Sequence, residues 1–320
     1  MRTSEPRTAR VEESLAGQRL DQALAHLFAD YSRSRLQQWI REGRVRVDGR
    51  VLRAKDKVSG GERIELEADV APRDDAKAQE IPLDILYRDE ALLVVDKPVG
   101  LVVHPAAGNW EGTLQNALLH ADPALAQLPR AGIVHRLDKD TSGLLVVART
   151  PAAHKHLVAA LAARQVKREY RAVVTGVPTA GGTVEAPIGR HPTLRTRMAV
   201  THSGKSAVTH YRVLERFRHH AALQVNLETG RTHQIRVHLA HVGYPIVGDP
   251  VYAGRLRLPP GATPELVEAL RAFRRQALHA HRLALAHPET GQWMEWESPV
   301  PHDMRALLDA LRADRQAADP

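Results

Sequence analysis

Five ionisable side chains occupy the six positions from His135 to Asp140, inside the stretch GIVHRLDKDTSGLLVVA that runs from Gly132 to Ala148. The flanks, Gly-Ile-Val and Gly-Leu-Leu-Val-Val-Ala, are core-forming. Charges set between such segments are costly to desolvate unless they are paired or used. A carboxylate in that setting can serve as a base, a nucleophile or the stabiliser of an electron-poor carbon. A structural reading is open for both aspartates: one caps the turn before the strand, the other pairs with an arginine. Asp140 precedes Thr-Ser-Gly, the composition of Asx and Ser/Thr turns, so its expected task is to shape that turn. Asp138 closes an apolar segment, so its carboxylate is expected to be partly buried beside Arg136 or another cation.

Other chemistries fit less well. DKDTSG is one insertion away from the DKTG of phosphorylating ion pumps, but those need membrane spans. No run here approaches the roughly 18 apolar residues of a span. His233, His238 and His241 could suggest a metal, as could His154 with His156. In a helix, positions 233 and 241 lie about two turns apart and 238 lies off their face, so one ion is poorly served. With 18 histidines in the chain, chance clustering is the better account, and no metal is expected. Neither GxxxxGK[ST] nor GxGxxG occurs, so no cofactor is expected.

The elements that must hold this cluster can be read from pattern. At 320 residues the chain is long enough for two domains, and 43% hydrophobic with 26% charged residues is a globular composition. There is no cysteine, and MRTSEPRTARVEES lacks the apolar segment of a secretory signal, so a cytoplasmic protein with no membrane association is expected. Lys plus Arg number 45 against 37 Asp plus Glu, and the excess is local: Arg33 to Lys57 holds nine basic residues and three acidic.

Residues 17–70 read as a small α/β module. Leu20, Leu24, Leu27 and Phe28 have helical spacing, as do Leu36, Trp39 and Ile40, with Ser34 as cap and Gly43 as stop. VRVDGRVL alternates around Asp48-Gly49, a hairpin signal. Arg33, Arg35, Arg41, Arg44 and Arg46 fall off the apolar face, as an ordinary solvated surface or as one that faces phosphates. Residues 71–80 read as a linker. From 81 to 318, hairpin-spaced strands mix with helices expected over 151–165, 231–242, 263–276 and 302–316. That mixture predicts an α+β fold with a mixed, largely antiparallel sheet.

Two resemblances sharpen this reading. RLDQAL, SRSRLQQWIREGRVRVDGR and VSGGERIEL resemble the S4 RNA-binding module. KPVGLVVHPAAG (97–108), HRLDKDTSGLLVVA (135–148), KREYRAVVTG (167–176) and TGRTHQIRVHLAHVGYPIVGDPVY (229–252) resemble, in order and spacing, the RluA-type pseudouridine synthases. With the leading S4 module, the match narrows to the RluD-like branch or its RluC-like sibling.

The resemblance implies the roles. Asp138, in HRLD, matches the family's nucleophile. Tyr170 matches the tyrosine that lies against the target base. Arg236, in HQIR, matches the arginine paired with the catalytic carboxylate. Arg136 matches the arginine thought to help displace the base, while Arg231 and His233 are assigned to support or RNA contact. The implied reaction breaks the C1′–N1 bond of uridine, turns the uracil and joins C5 to C1′. A carboxylate can serve the electron-poor C1′ as it does in glycoside hydrolysis. The implied partner is RNA, above all 23S ribosomal RNA and, for the RluD-like branch, the helix 69 stem-loop, with the enzyme a monomer. A synthase directed at tRNA and a non-catalytic rRNA-binding assembly factor are the alternatives.

Overall fold

Leu20 and Leu24 on one helix, and Leu36, Trp39 and Ile40 on the next, are all at most 3% exposed. The helices are α1 (Leu20–Leu27) and α2 (Arg33–Arg41). Their apolar faces share one core with Val45, Val47, Ile64 and Leu66. Each such buried side chain stabilises the module by about 1.5–3 kcal/mol relative to exposure. The strands are β1 (Ser4–Arg10), β2 (Val45–Val47) and β3 (Arg63–Asp69), antiparallel in the order β1-β3-β2. The computed structural model describes residues 4–28, 31, 33–69, 76–105, 109–194 and 196–318, without the side chains of residues 4–6, 33–35, 68 and 69.

Several details differ from the sequence reading. β1 precedes the expected start at residue 17; SEPRTAR is polar, and a sheet-edge strand needs no alternating signal. Ser34 lies within α2 and not at its cap. The Asp48-Gly49 turn is present, with φ of 47° and 75°, but only Val47 and Arg50 bridge across it, and β2 pairs with β3 instead.

The chain divides into Met1–Asp75 and Ala76–Pro320. Of the stretch read as a linker, residues 71–75 lie outside the described residues. Residues 76–80 lie along the second unit: Asn116 Nδ2 donates to the Lys77 carbonyl at 2.8 Å and Gln79 N donates to the Asn116 carbonyl at 3.0 Å.

The second unit is built on a nine-stranded sheet. Its strands are β4 (Asp84–Arg88), β5 (Leu92–Lys97), β6 (Ser142–Ala148), β7 (Lys167–Thr175) and β8 (Gly182–Glu185). A separate two-stranded pair, β9 (Ile188–Arg190) and β10 (Met198–Val200), follows. The main sheet is completed by β11 (Val208–Arg216), β12 (His220–Leu227), β13 (Leu278–Ala286) and β14 (Trp293–Glu297). Its order is β4-β5-β6-β13-β7-β12-β11-β8, with β14 on β13. Among the described strands of this sheet only β6 and β13 pair in parallel, Ser142 with His279 and Gly143 with Ala280. A Cβ at Gly143 would lie 2.2 Å from the Ala280 carbonyl oxygen, so the crossing point requires glycine.

The run GLLVVA is apolar throughout because β6 is covered on both faces. Leu145 and Val147 enter the larger core, while Leu144 and Val146 face a second core with α4 (Pro151–Ala162). The larger core also takes α3 (Leu114–Ala121), α5 (Gln234–His241), α6 (Pro264–Ala272) and α7 (His302–Ala318). The helices α4 to α7 fall where periodicity predicts them. α3 was not expected; it is opened by a capping box between Thr113 and Asn116. Among the described residues, no helix is long and apolar enough to cross a membrane.

Burial also makes the fold acid-sensitive. His220 and His279 are 3% and 1% exposed, and burial lowers both to about 4 from the ordinary 6.5. Below pH 6.5 the unfolded chain therefore takes up protons that the native state refuses. Each histidine then removes about 1.4 kcal/mol per pH unit as pH falls toward 4. The melting temperature is expected to drop steadily between pH 6.5 and 5 in thermal unfolding; a flat or rising profile would contradict this linkage.

Candidate active site

The turn carrying Asp138 is held from behind by two buried cations. Lys97, 0% exposed, donates from Nζ to the carbonyls of Pro98 (2.7 Å), Leu101 (3.0 Å) and Lys139 (3.0 Å). Burial lowers Lys97 to about 8, while the charges of Asp140 and Asp138 act the other way. Arg275 donates to the Asp140 carbonyl at 3.2 Å and is itself fixed by Asp303, with contacts of 2.6 and 2.8 Å. Thr141 N donates to the Asp138 carbonyl at 3.1 Å, closing the turn into β6. The Asp140 carboxylate was expected to cap this turn. Instead its backbone oxygen is used, and its charge bears on Lys97.

Asp138 faces the cavity. Its side chain is 17% exposed, and Arg236 Nη1 donates to its Oδ2 at 3.0 Å. The cation beside it is therefore Arg236 from α5; Arg136 is exposed. The remaining face of the Arg236 guanidinium is spent on Asp249: Nε to Oδ2 at 2.7 Å and Nη2 to Oδ1 at 2.9 Å. Asp249 Oδ1 also accepts from Val251 N (2.8 Å) and Tyr252 N (3.0 Å), and its side chain is 0% exposed. Burial opposes the Arg236 charge. The hydrogen bonds and charges of Asp249, then Asp138, more than offset it, so the guanidinium holds its proton more tightly than an ordinary one. Burial likewise pushes Asp249 up, and Arg236 brings it below the usual carboxylate value.

His233 supplies the second contact. It enters α5 in the left-handed conformation, with φ 56° and ψ 23°. Its Nδ1 lies 2.8 Å from the Tyr252 hydroxyl, which already accepts from Met198 N at 3.0 Å. The ring's other nitrogen, Nε2, lies 3.9 Å from Asp138 Oδ1. Burial lowers His233, with Asp138 opposing, which favours the neutral ring. Gln234, 2% exposed, fixes the preceding turn through Thr229, Arg231 N, the Val208 carbonyl and Thr209.

Tyr170, on β7, is 5% exposed and lines the same cavity, whose volume is about 630 Å³. Burial pushes its phenol up; Arg168 works against this and Asp138 with it, so the group is a protonated donor at neutral pH and not a ready base. Arg136 and Arg231 lie at the cavity as exposed side chains. The structure thus brings Asp138, Tyr170, Arg236, Arg136, Arg231 and His233 to one cavity. In the first unit, Arg41 and Arg46 are exposed, Arg44 is half-buried and pairs with Glu42 at 3.3 Å, and the side chains of Arg33 and Arg35 lie outside the described residues.

Sequence reasoning missed Lys97, Arg168, Asp249, Tyr252 and Arg275. Four of them stand in the motif blocks quoted for the resemblance, at KPVG, KREY and GDPVY, but a buried partner is not a pattern in sequence.

A carboxylate held in a cavity by a fully paired guanidinium is preorganised to meet positive charge as it develops. Comparison with known proteins agrees with that chemistry. Residues 91–241 match the RNA pseudouridylate synthase family and residues 18–64 the S4 domain. The chain is 60% identical over 311 residues to the ribosomal large subunit pseudouridine synthase D of Pseudomonas aeruginosa, covering 97% of each chain. It is 56% identical over 308 residues to the protein of that name from Escherichia coli (strain K12), covering 96% of this chain and 94% of that one. Human RNA pseudouridylate synthase domain containing 4 superposes with a TM-score of 0.56 at 27% identity, over 72% of this chain and 93% of that one. Near-full-length identity of this degree leaves one assignment: the chain belongs to the RNA pseudouridylate synthase family.

Proposed function

We propose that this enzyme isomerises uridines of large-subunit ribosomal RNA to pseudouridine, as a cytoplasmic monomer, with Asp138 as nucleophile. The observation that carries the reading is the Asp138 carboxylate, open to the cavity and held at 3.0 Å by an arginine whose other contacts are spent on buried Asp249. Its charge is thus kept available without being sealed off. A uridine within a stem or loop has to leave its stack to reach such a group. Tyr170 offers the receiving ring face, and base–aromatic stacking is worth about 1–3 kcal/mol. Arg136, exposed at the cavity, would fill the space that the base vacates. Arg231, together with Arg33, Arg35, Arg41, Arg44 and Arg46 of the S4 module, would meet phosphates, and His233 supports the Asp138 carboxylate.

The relatives named for the large ribosomal subunit support the RNA class, and the RluD-like resemblance supports the helix 69 stem-loop within 23S RNA. Tritium release from 5-tritiated uridine tests it. Release is expected from 23S RNA and from a helix 69 stem-loop, and not from bulk tRNA. Release from tRNA alone would overturn the target class, and release from 23S RNA but not the stem-loop would favour an RluC-like site.

A further inference from the structure

Two residues before Tyr170, on the same face of β7, Arg168 reaches the same cavity. It is 8% exposed, yet among the described residues no carboxylate forms an ion pair with it. Its Nε is buried with no hydrogen-bond acceptor. The other deeply buried arginines are served otherwise: Arg236 binds Asp249 and Asp138, and Arg275 binds Asp303. The backbone makes room for the exception, since a Cβ at Gly230 would lie 2.8 Å from Arg168 Nη1.

The surroundings do not neutralise this charge. His135 Nε2 accepts from Val146 N at 3.0 Å, so a neutral ring carries its proton on Nδ1, and that atom too has no partner. Burial, with Arg168 and His104 adding to it, lowers His135 to about 3, so the ring stays neutral. A buried guanidinium without an anion is destabilising on its own, so its place in the cavity calls for an acceptor brought by the substrate. RNA offers phosphate oxygens and base carbonyls. Arg231, exposed at the cavity, is placed for phosphates, which stay near solvent. Arg168 lies deep beside Tyr170, where an extruded base goes.

We propose that Arg168 is a further catalytic residue: its guanidinium hydrogen-bonds a carbonyl oxygen of the extruded uracil and stabilises the negative charge that the ring carries while detached from the sugar. When the C1′–N1 bond breaks, its electron pair leaves with N1 and spreads onto O2 and O4. C1′ is left electron-poor beside Asp138. After the ring turns, an electron pair of the ring forms the C5–C1′ bond, C5 loses its proton and N1 gains one. Arg168 keeps all its protons throughout. Because the ring is neutral before cleavage and anionic after it, the contact strengthens along the reaction coordinate, the condition for raising turnover over affinity.

This inference rests on the reading of Asp138 given above. Its test uses whichever RNA the wild-type enzyme turns over, so an error in target class shows in which RNA releases tritium, and an error about Arg168 shows in the variant-to-wild-type ratio on that RNA. Single-turnover rates at saturating enzyme, and dissociation constants at several salt concentrations, would be measured for Arg168→Met and Arg168→Lys. Arg168→Met is expected to lose on the order of 10²–10³ in rate, as for removal of one oxyanion donor, with an unchanged salt dependence of binding. Arg168→Lys should fall between it and the wild type. A wild-type single-turnover rate with a log–log salt slope shallower by about 0.7–0.9 would make Arg168 a phosphate contact and overturn the proposal. Unchanged rate and slope would make it a bystander and overturn it equally. If Arg168→Met does not melt like the wild type, Arg168→Lys decides: a slower rate at unchanged affinity supports the role, and a wild-type rate ends it.

Discussion

Asp138→Asn is expected to fold, bind RNA and release no measurable tritium, a loss of at least about 10⁴-fold by analogy with other nucleophile deletions. The substitution is nearly isosteric. An asparagine Oδ1 can still accept from Arg236 Nη1, which now meets Asp138 Oδ2 at 3.0 Å. The turn itself is held through backbone atoms, by Lys97 on the Lys139 carbonyl and Arg275 on the Asp140 carbonyl, so it does not depend on the 138 side chain. What is lost is the negative charge and the nucleophilic lone pair that C1′ requires. Tritium release, circular dichroism and a gel shift on one preparation check the three parts. An active Asp138→Asn enzyme would move the nucleophile elsewhere.

Arg236→Met is expected to do two kinds of damage, and they can be separated. It leaves Asp138 without its counter-ion, which should reduce turnover severely while RNA affinity is retained. It also strands Asp249, whose side chain is 0% exposed and which would keep only the Val251 and Tyr252 amides as donors. Breaking one side of a buried pair costs about 3–5 kcal/mol. For a chain of this size that lowers the melting temperature on the order of 10 °C. Adding Asp249→Asn removes the stranded charge, so the double variant should recover much of the stability and none of the activity. Arg236→Lys should not substitute, because an ammonium cannot present the fork to Asp249 and a third donor to Asp138 together. A stable or active Arg236→Met protein would contradict this account.

The sequence made some of this legible, for identifiable reasons. Where a helix or strand buries a long apolar stripe, as in α4, α7 and β6, pattern alone finds it. β1 escaped because its SEPRTAR is an edge strand without alternation, and α3 because its cap uses Thr113 with Asn116 and not the usual Ser/Thr with Glu/Gln. Asp138 stood out by its setting in the sequence, and the roles proposed for Asp138, Tyr170 and Arg236 came from motif resemblance. Asp249 stands 13 residues after Arg236 and means nothing until the chain folds back to place it under the guanidinium. Lys97 and Arg275 act on backbone carbonyls, and a carbonyl has no letter in the sequence. The aspartate at 140 fits a turn by composition, but burial and backbone donors settled how the turn is made.

The position of β13 has a consequence for how the protein is made. Leu278–Ala286 slots between two stretches that leave the ribosome more than a hundred residues before it, β6 after Asp138 and β7 with Tyr170. Until it arrives, neither neighbour has its partner edge, and Asp138 and Tyr170 belong to halves not yet joined. Such long-range closure slows folding. The cavity that holds both residues is thus closed by a keystone strand drawn from far along the chain.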